Sequence, residues 1–250
     1  NKEQYMAQHV VANVTPTQLY GSLLKDQSQI AQKVVKQAKQ YKYGKGNMQI
    51  HLILKEKPIW VQEALQDVTY VHLTDGINDV SKAVNEAVRQ QLPSKGTICI
   101  AQPTAVDPSR ASDGKHVLWI QLPECPNYPE SDACGELDGL CQGVWSTELS
   151  EAYADRIIDR ISTYIPNLKD AIIYKRIMSP KELSETNINL VHGDPYSGQC
   201  NLDQYLLWRP MSSVKNHETP IKNLFHIGAS THPGPGLSGG SGFLVSQKIK

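Results

Sequence analysis

Apolar residues recur at helical spacing in three stretches. Ile30, Val34, Val35, Ala38 and Tyr41 fall near i, i+4 steps and predict a helix over 27–42, stopped by Gly44 and Gly46. Val80, Ala83, Val84, Ala87 and Val88 share a face of a second helix over 79–92, ended by Pro93. Ile157, Ile158 and Ile161 mark a third over 149–164, with Asp155, Arg156, Asp159 and Arg160 expected to face water. Shorter apolar runs predict strands over 7–13, 48–54, 68–73, 97–101, 116–122, 171–178 and 224–227. The first of these reads as buried, and Thr15-Pro16 is expected to turn the chain after it. Ser179, with Pro180 behind it, reads as the N-cap of a further helix. Residues 103–115 and 124–147 read as loop.

Strands and helices intermix without an internal repeat. Several strands follow one another with no long helix between, so part of the sheet must be antiparallel. The fold class is therefore α/β with a mixed, α+β-like sheet. A central domain is expected over 21–205, and the ends, 1–20 and 206–250, are expected to belong to a second domain. The start at Asn1 and the helix-like close at 243–250 suggest a piece of a longer chain. Such a piece is expected to expose apolar surface and to self-associate.

Composition narrows the function classes. Hydrophobic residues are 40% of the 250, ample for a core. Lys+Arg and Asp+Glu are 25 each, a balance that argues against a nucleic-acid-binding protein. No apolar run approaches the ~18 residues that cross a bilayer, and no charged-then-apolar leader is visible. Five cysteines, with no C-x-x-C pair, favour free thiols in a reducing, cytoplasmic compartment. Charge is uneven, however. Six lysines (25, 33, 36, 39, 42 and 45) face Asp26 alone, and 121–155 holds eight acids and no Lys or Arg. Both read as solvated faces. A sharper reading of the lysine run is peripheral contact with an anionic lipid surface.

The segment with most chemistry is 224–242, LFHIGASTHPGPGLSGGSG, where a strand ends at Gly228 and a helix is expected near Leu237. Its six glycines allow unusual dihedrals and close backbone approach. Free amides at a helix start favour negative charge, on a phosphate or on the N1/O2 edge of a reduced flavin. A ligand-free connecting loop fits the composition equally well.

Asn223–Gly234 (NLFHIGASTHPG) resembles the C-terminal flavin-binding motif of the phytoene desaturase-like FAD oxidoreductases, a group of carotenoid desaturases, ketolases and isomerases. Leu202-Asp203-Gln204 with Arg209-Pro210 resembles the family's DQ…RP segment. Pro108–Ala111 followed by Gly114-Lys115-His116 resembles its mid-chain loop, and His9–Asn13 the strand leaving the FAD domain. The resemblance runs in order along nearly the whole chain. It implies a substrate domain of a two-domain FAD oxidoreductase, with a remnant of the FAD-binding domain. The family's N-terminal G-x-G-x-x-G βαβ unit is not in this sequence, so FAD binding by this chain alone is expected to be weak or absent.

By the same resemblance, Gly228, Ala229 and Ser230 would lie near the FAD ribityl and phosphate, and Gly236, Leu237 and Ser238 under the pyrimidine edge. The implied reaction is hydride transfer from an apolar, polyene or lipid, substrate to flavin. The alternative is a cofactor-free fragment or degenerate relative that binds a lipid or a partner chain. No catalytic residue stands out. His232 is a candidate acid or base, but a loop-fixing hydrogen bond is the preferred role. Ser230-Thr231-His232 suggests a hydrolase weakly, because sequence neighbours seldom reach triad geometry and Ser230 sits in no nucleophile elbow. His192, Asp194 and Cys200 fit no common metal spacing, and no metal is expected. Tyr196–Trp208 is apolar enough to wall a substrate cavity or to pack in a core.

Overall fold

The computed structural model describes residues 3–214, 217–236 and 239–249. In chain order the elements are β1 Val10–Ala12, α1 Pro16–Gln18, α2 Gln32–Lys39, β2 Gly46–Leu54, β3 Tyr70–Leu73 and α3 Ile77–Val88. Next come β4 Gln91–Leu92, β5 Ile98–Ala101, β6 His116–Cys125, β7 Ser131–Asp132 and α4 Thr147–Ser162. The last are α5 Leu168–Ala171, β8 Ile172–Met178, α6 Pro180–Thr186, β9 Leu224–His226 and α7 Gly240–Ser246. They gather into two compact units, one of residues 1–44 with 187–250 and the other of Lys45–Thr186. Residues 21–44 and 187–205, expected in the central domain, pack with the chain ends.

The Lys45–Thr186 unit is built on a five-stranded sheet in the order β3-β5-β6-β2-β8, antiparallel at every pairing. Alternation along β2 sends Met48, Ile50, Leu52 and Leu54 to one face, where they are fully buried. Leu118, Ile120 and Leu122 of β6 join them, and α4 closes this face with Leu149, Tyr153, Ile157, Ile158 and Ile161. The helix starts where Ser146 accepts the Leu149 N–H at 3.1 Å. Arg156 does not face water as expected. Its guanidinium donates to the buried Asp132 carboxylate at 2.7 Å, which fixes the 130–138 loop. A capping box opens α6: the Ser179 N–H donates to Glu182 Oε2, and Ser179 Oγ accepts the Glu182 N–H.

The other unit pairs β1 with β9 in parallel, Val11 opposite Phe225. β1 is not the buried strand that its composition suggested. Val10 and Val11 are about half exposed, because β9 is β1's only strand neighbour among the described residues. Thr15-Pro16 starts a helix rather than a turn. Proline suits a first helical position, and α1 continues in wider turns over Leu19–Leu23. Leu19, Tyr20, Ile30, Val34 and Ala38 form the small core. No helix among the described residues is long and apolar enough to cross a membrane.

Candidate cofactor site

The glycine-rich loop leaves β9 in the unit that contains both chain ends. Its first residues are pinned by polar contacts. His226, at the strand end, is fully buried and its Nε2–H donates to the Val14 carbonyl at 2.6 Å. Burial drives this imidazole's pKa down to about 4, so it is neutral near pH 7, with Nδ1 left as an unpartnered acceptor. Gly228 has φ +104°, and a Cβ there would stand 2.1 Å from Asn13 Oδ1. Its N–H donates to Ser241 Oγ, and its carbonyl accepts from the Thr231 amide and hydroxyl.

The loop is also clamped from outside. Arg209 is buried with no carboxylate partner among the described residues; its Nε–H donates to the Ala229 carbonyl at 2.7 Å. Its two terminal nitrogens donate to the carbonyls of Tyr196, Gly198, Gln199 and Gln204. Gln204 takes the Lys42 N–H and returns a bond to the Lys42 carbonyl. Asp194, fully buried, accepts the N–H groups of Gly44, Tyr196 and Gly198 at 2.7–2.8 Å. Sequence reasoning left Asp194 as a loop or wall residue rather than a metal ligand, and Arg209 as part of the DQ…RP segment. For Asp194 the signal was a charge beside Gly193 in a loop, which a periodicity reading does not weigh; Arg209, between Trp208 and Pro210, carries no such mark.

These contacts define what remains for a ligand. Ser230 is buried and its hydroxyl donates to the Val14 carbonyl. The Ala229 carbonyl belongs to Arg209. No acceptor stands within the described residues for the main-chain N–H of Ala229 or Ser230. Consecutive free amides form a neutral cradle for an anion or a polarised oxygen. Gly228, by contrast, has no amide to offer. Gly236 has open space where a side chain would stand. Leu237 and Ser238 lie outside the described residues. The closing helix begins at Gly240 rather than near Leu237 and is seven residues long, so its dipole is smaller than a full helix would supply. The loop residues thus fit a flavin dinucleotide through main-chain groups, with no Lys or Arg over 227–242.

Two patterns in this stretch need their context. Gly234–Gly239 has G-x-G-x-x-G spacing, but 227–233 separates it from the strand, where a dinucleotide fingerprint follows directly. Gly236–Gly240 spells G-x-S-x-G, which a nucleophile elbow also sets at a strand end. Among the described residues His232 makes no hydrogen bond that would fix the loop, the role expected of it. Its Nδ1 is buried without a partner, and the residue lines a cavity of about 610 Å³ with Trp208, His217 and Leu244. Leu207 and Trp208 are exposed at its rim rather than packed in a core. His192, Asp194 and Cys200 do not form a metal cluster; no group of three potential ligands does among the described residues.

The Lys45–Thr186 unit offers a different surface. The sheet face away from α4 carries Tyr70, His72, Cys99, Trp119 and Gln121 in neighbouring registers. Cys99 Sγ lies 3.7 Å from His72 Nδ1, and burial pushes the thiol pKa up, so it stays protonated.

No protein-family model matches the chain. Individual relatives do. The mouse pyridine nucleotide-disulfide oxidoreductase domain-containing protein 2 is 31% identical over 63% of this chain and 25% of its own length. A lycopene-forming phytoene desaturase from a Paracoccus species is 28% identical over 72% of this chain and 32% of its own. The chain is a homologue of the phytoene desaturase-like oxidoreductases. Prolycopene isomerase 1 of an Oncidium hybrid extends the likeness to 95% of this chain, at 26% identity and 35% of its own length. The chain thus spans about a quarter to a third of the length of each of these three relatives. An oxidoreductase structure from Methanosarcina mazei aligns over 98% of the chain at 11% identity and a TM-score of 0.45, too slight a likeness to carry weight.

Proposed function

We propose that this chain is the C-terminal part of an FAD-dependent oxidoreductase that takes hydride from an apolar substrate. In this reading Ala229, Ser230 and Gly236 contact the cofactor, and the Lys45–Thr186 unit is the substrate domain. The observation that carries it is the pair of free amides at Ala229 and Ser230, in a chain homologous to desaturases. FAD, when bound, supplies the hydride-accepting chemistry. The chain's own part is positioning. Arg209 and His226 hold the loop so that its amides need no reorganisation, and fixed donors of this kind stabilise charge that develops during reaction. Neither His226, which is neutral, nor Cys99, which stays protonated, serves as a strong acid or base in this reading.

The test is the product of the whole reading frame, purified and titrated with FAD. It is expected to show the visible flavin bands and to lose them in Gly236→Val, while the 250-residue chain binds FAD weakly. A colourless whole product that ignores added FAD would overturn the reading and favour a cofactor-free binding module.

A further inference from the structure

The sheet face turned away from α4 sorts into two zones. Register sets His72 of β3, Cys99 of β5, Gln121 of β6 and Gln49 of β2 in one polar row across four strands. The next rows carry apolar bodies: Tyr70 on β3, Trp119 on β6, Ile53 on β2 and Tyr174 on β8. Ile53, Tyr70 and Tyr174 are 37, 40 and 54% exposed, a large apolar area to leave in water. All of them stand on paired strands, so the ladder and not a loop sets their spacing. Within the polar row the acceptors are taken and two donors are not. Gln121 Oε1 accepts from the Tyr70 hydroxyl at 3.5 Å, and Gln49 Oε1 accepts from His51 Nε2–H at 3.3 Å. Cys99 and His72 engage each other. The carboxamide nitrogens of Gln49 and Gln121 have no acceptor among the described residues. The two glutamines face each other across β2 and β6, so one ligand atom can reach both. Of Lys, Arg, Asp and Glu only Arg176 stands in these registers, and Glu182 pairs with it at 3.1 Å. Burial, helped by Arg176, holds the His51 pKa below its usual value, so that ring is neutral near pH 7.

We propose that this face binds an apolar molecule by a neutral carbonyl oxygen, held by the Gln49 and Gln121 amides while its body lies on Trp119, Ile53 and Tyr174. The inference rests on the reading of Lys45–Thr186 as the substrate domain and names the class of compound it takes. Two neutral donors side by side match an oxygen with two lone pairs. A carboxylate would leave water with no cation to meet it, because Arg176 is already paired. A hydrocarbon would cover both amides and give them no acceptor. The face therefore selects an apolar ketone, aldehyde or ester over an unfunctionalised polyene. Each such hydrogen bond contributes roughly fivefold in affinity, so two contribute about twenty-five-fold.

The experiment is fluorine NMR of the 250-residue chain labelled with fluorotryptophan, the Trp119 signal being assigned by its loss in Trp119→Phe. The probes are acetonaphthone, ethylnaphthalene and naphthoate, which share one ring system and differ in the group it carries. Acetonaphthone is expected to shift the Trp119 signal with an affinity at least about tenfold above ethylnaphthalene, and naphthoate to bind weakest. Gln49→Leu/Gln121→Leu should abolish the preference and leave ethylnaphthalene bound as well or better. Gln121→Glu, equal in size, should lower acetonaphthone affinity at least roughly fivefold. Both glutamines are half-buried and lie outside the core under α4, so neither variant removes core packing. FAD titration of the whole reading-frame product separates the two readings. Flavin bands absent with the acetonaphthone preference intact would overturn the flavin reading alone, and bands present without the preference would overturn this one alone. The proposal is also overturned by no shift, by a preference that survives in the leucine variant, by tighter binding of naphthoate or by shifts confined to other tryptophans. A second copy of the chain on this face, seen as a dimer that acetonaphthone does not dissociate, overturns it as well.

Discussion

The two units solve the problem of a fixed structure with different chemistry. Lys45–Thr186 is held by apolar burial, with one continuous core between the five strands and α4. The unit containing the chain ends has a much smaller core, and its loops are held by buried polar groups that bond to backbone: Arg209, Asp194, Gln204 and His226. Burial is non-directional and tolerates local change. A side chain bonded to several backbone groups fixes a loop shape closely, but leaves those groups unsatisfied when it is removed. The second arrangement suits a loop that must present amides in one geometry.

The largest expected effect is in the sheet. Ile120 is fully buried at the centre of β6, so Ile120→Ala should cost about 4 kcal/mol through lost transfer energy and a cavity. Urea unfolding followed by far-ultraviolet circular dichroism measures it, and a loss under about 1 kcal/mol would mean that the core is looser than described. Arg209→Leu comes next, at about 3 kcal/mol, because it strips donors from five carbonyls at once. Its signature is regional. Hydrogen exchange should accelerate at 196–204 and 228–231 while the amides of β2 and β6 keep their protection. Uniform acceleration would contradict separate modes of stabilisation.

Acid sharpens the same contrast. The His226 pKa is near 6.5 when unfolded and about 4 when folded. Above pH 6.5 both states are neutral and nothing is lost. Between pH 6.5 and 4 the unfolded chain takes a proton that the folded chain refuses, so stability falls, and the loss is complete below about pH 4. The size is about 3 kcal/mol. Comparing unfolding of the wild type with His226→Gln across this window isolates it: the variant should lack that part of the slope. Parallel curves would show that His226 is not neutral in the fold.

How far each unit could be read from sequence follows from the same difference. The Lys45–Thr186 sheet was legible because its strands alternate and its helices repeat at 3.6 residues; β2, β3, β5, β6 and β8 fall within a few residues of their expected bounds. β4 and β7 are two residues each and carry no period to detect. In the other unit, α1 was hidden behind a proline read as a turn, and β1 was read as buried from composition that cannot report a missing neighbour. Gly228, Ala229 and Ser230 were singled out as a group, yet only the contacts separate them. The Gly228 amide already belongs to Ser241, and the next two have no acceptor among the described residues. The pattern of residue types is identical in either case, so no reading of glycines alone could divide them.

The smallest effect divides fold from binding in the glycine loop. In Gly228→Ala the new Cβ meets Asn13 Oδ1 at 2.1 Å and the backbone keeps φ +104°. A shift of the Asn13 side chain relieves the contact but not the dihedral, so about 2 kcal/mol is expected, with part of it recovered in the double variant with Asn13→Ala. In Gly236→Ala the Cβ enters open space and only the dihedral, φ +157°, is at stake. That should cost about 1 kcal/mol or less. If the loop serves the fold alone, the two alanines differ in stability and in nothing else. If it holds a flavin, Gly236→Ala in the whole reading-frame product should weaken FAD retention out of proportion to its small effect on unfolding. Gly228→Ala should lower both together. Retention by Gly236→Ala equal to wild type would leave the open face of that glycine without a ligand to explain it.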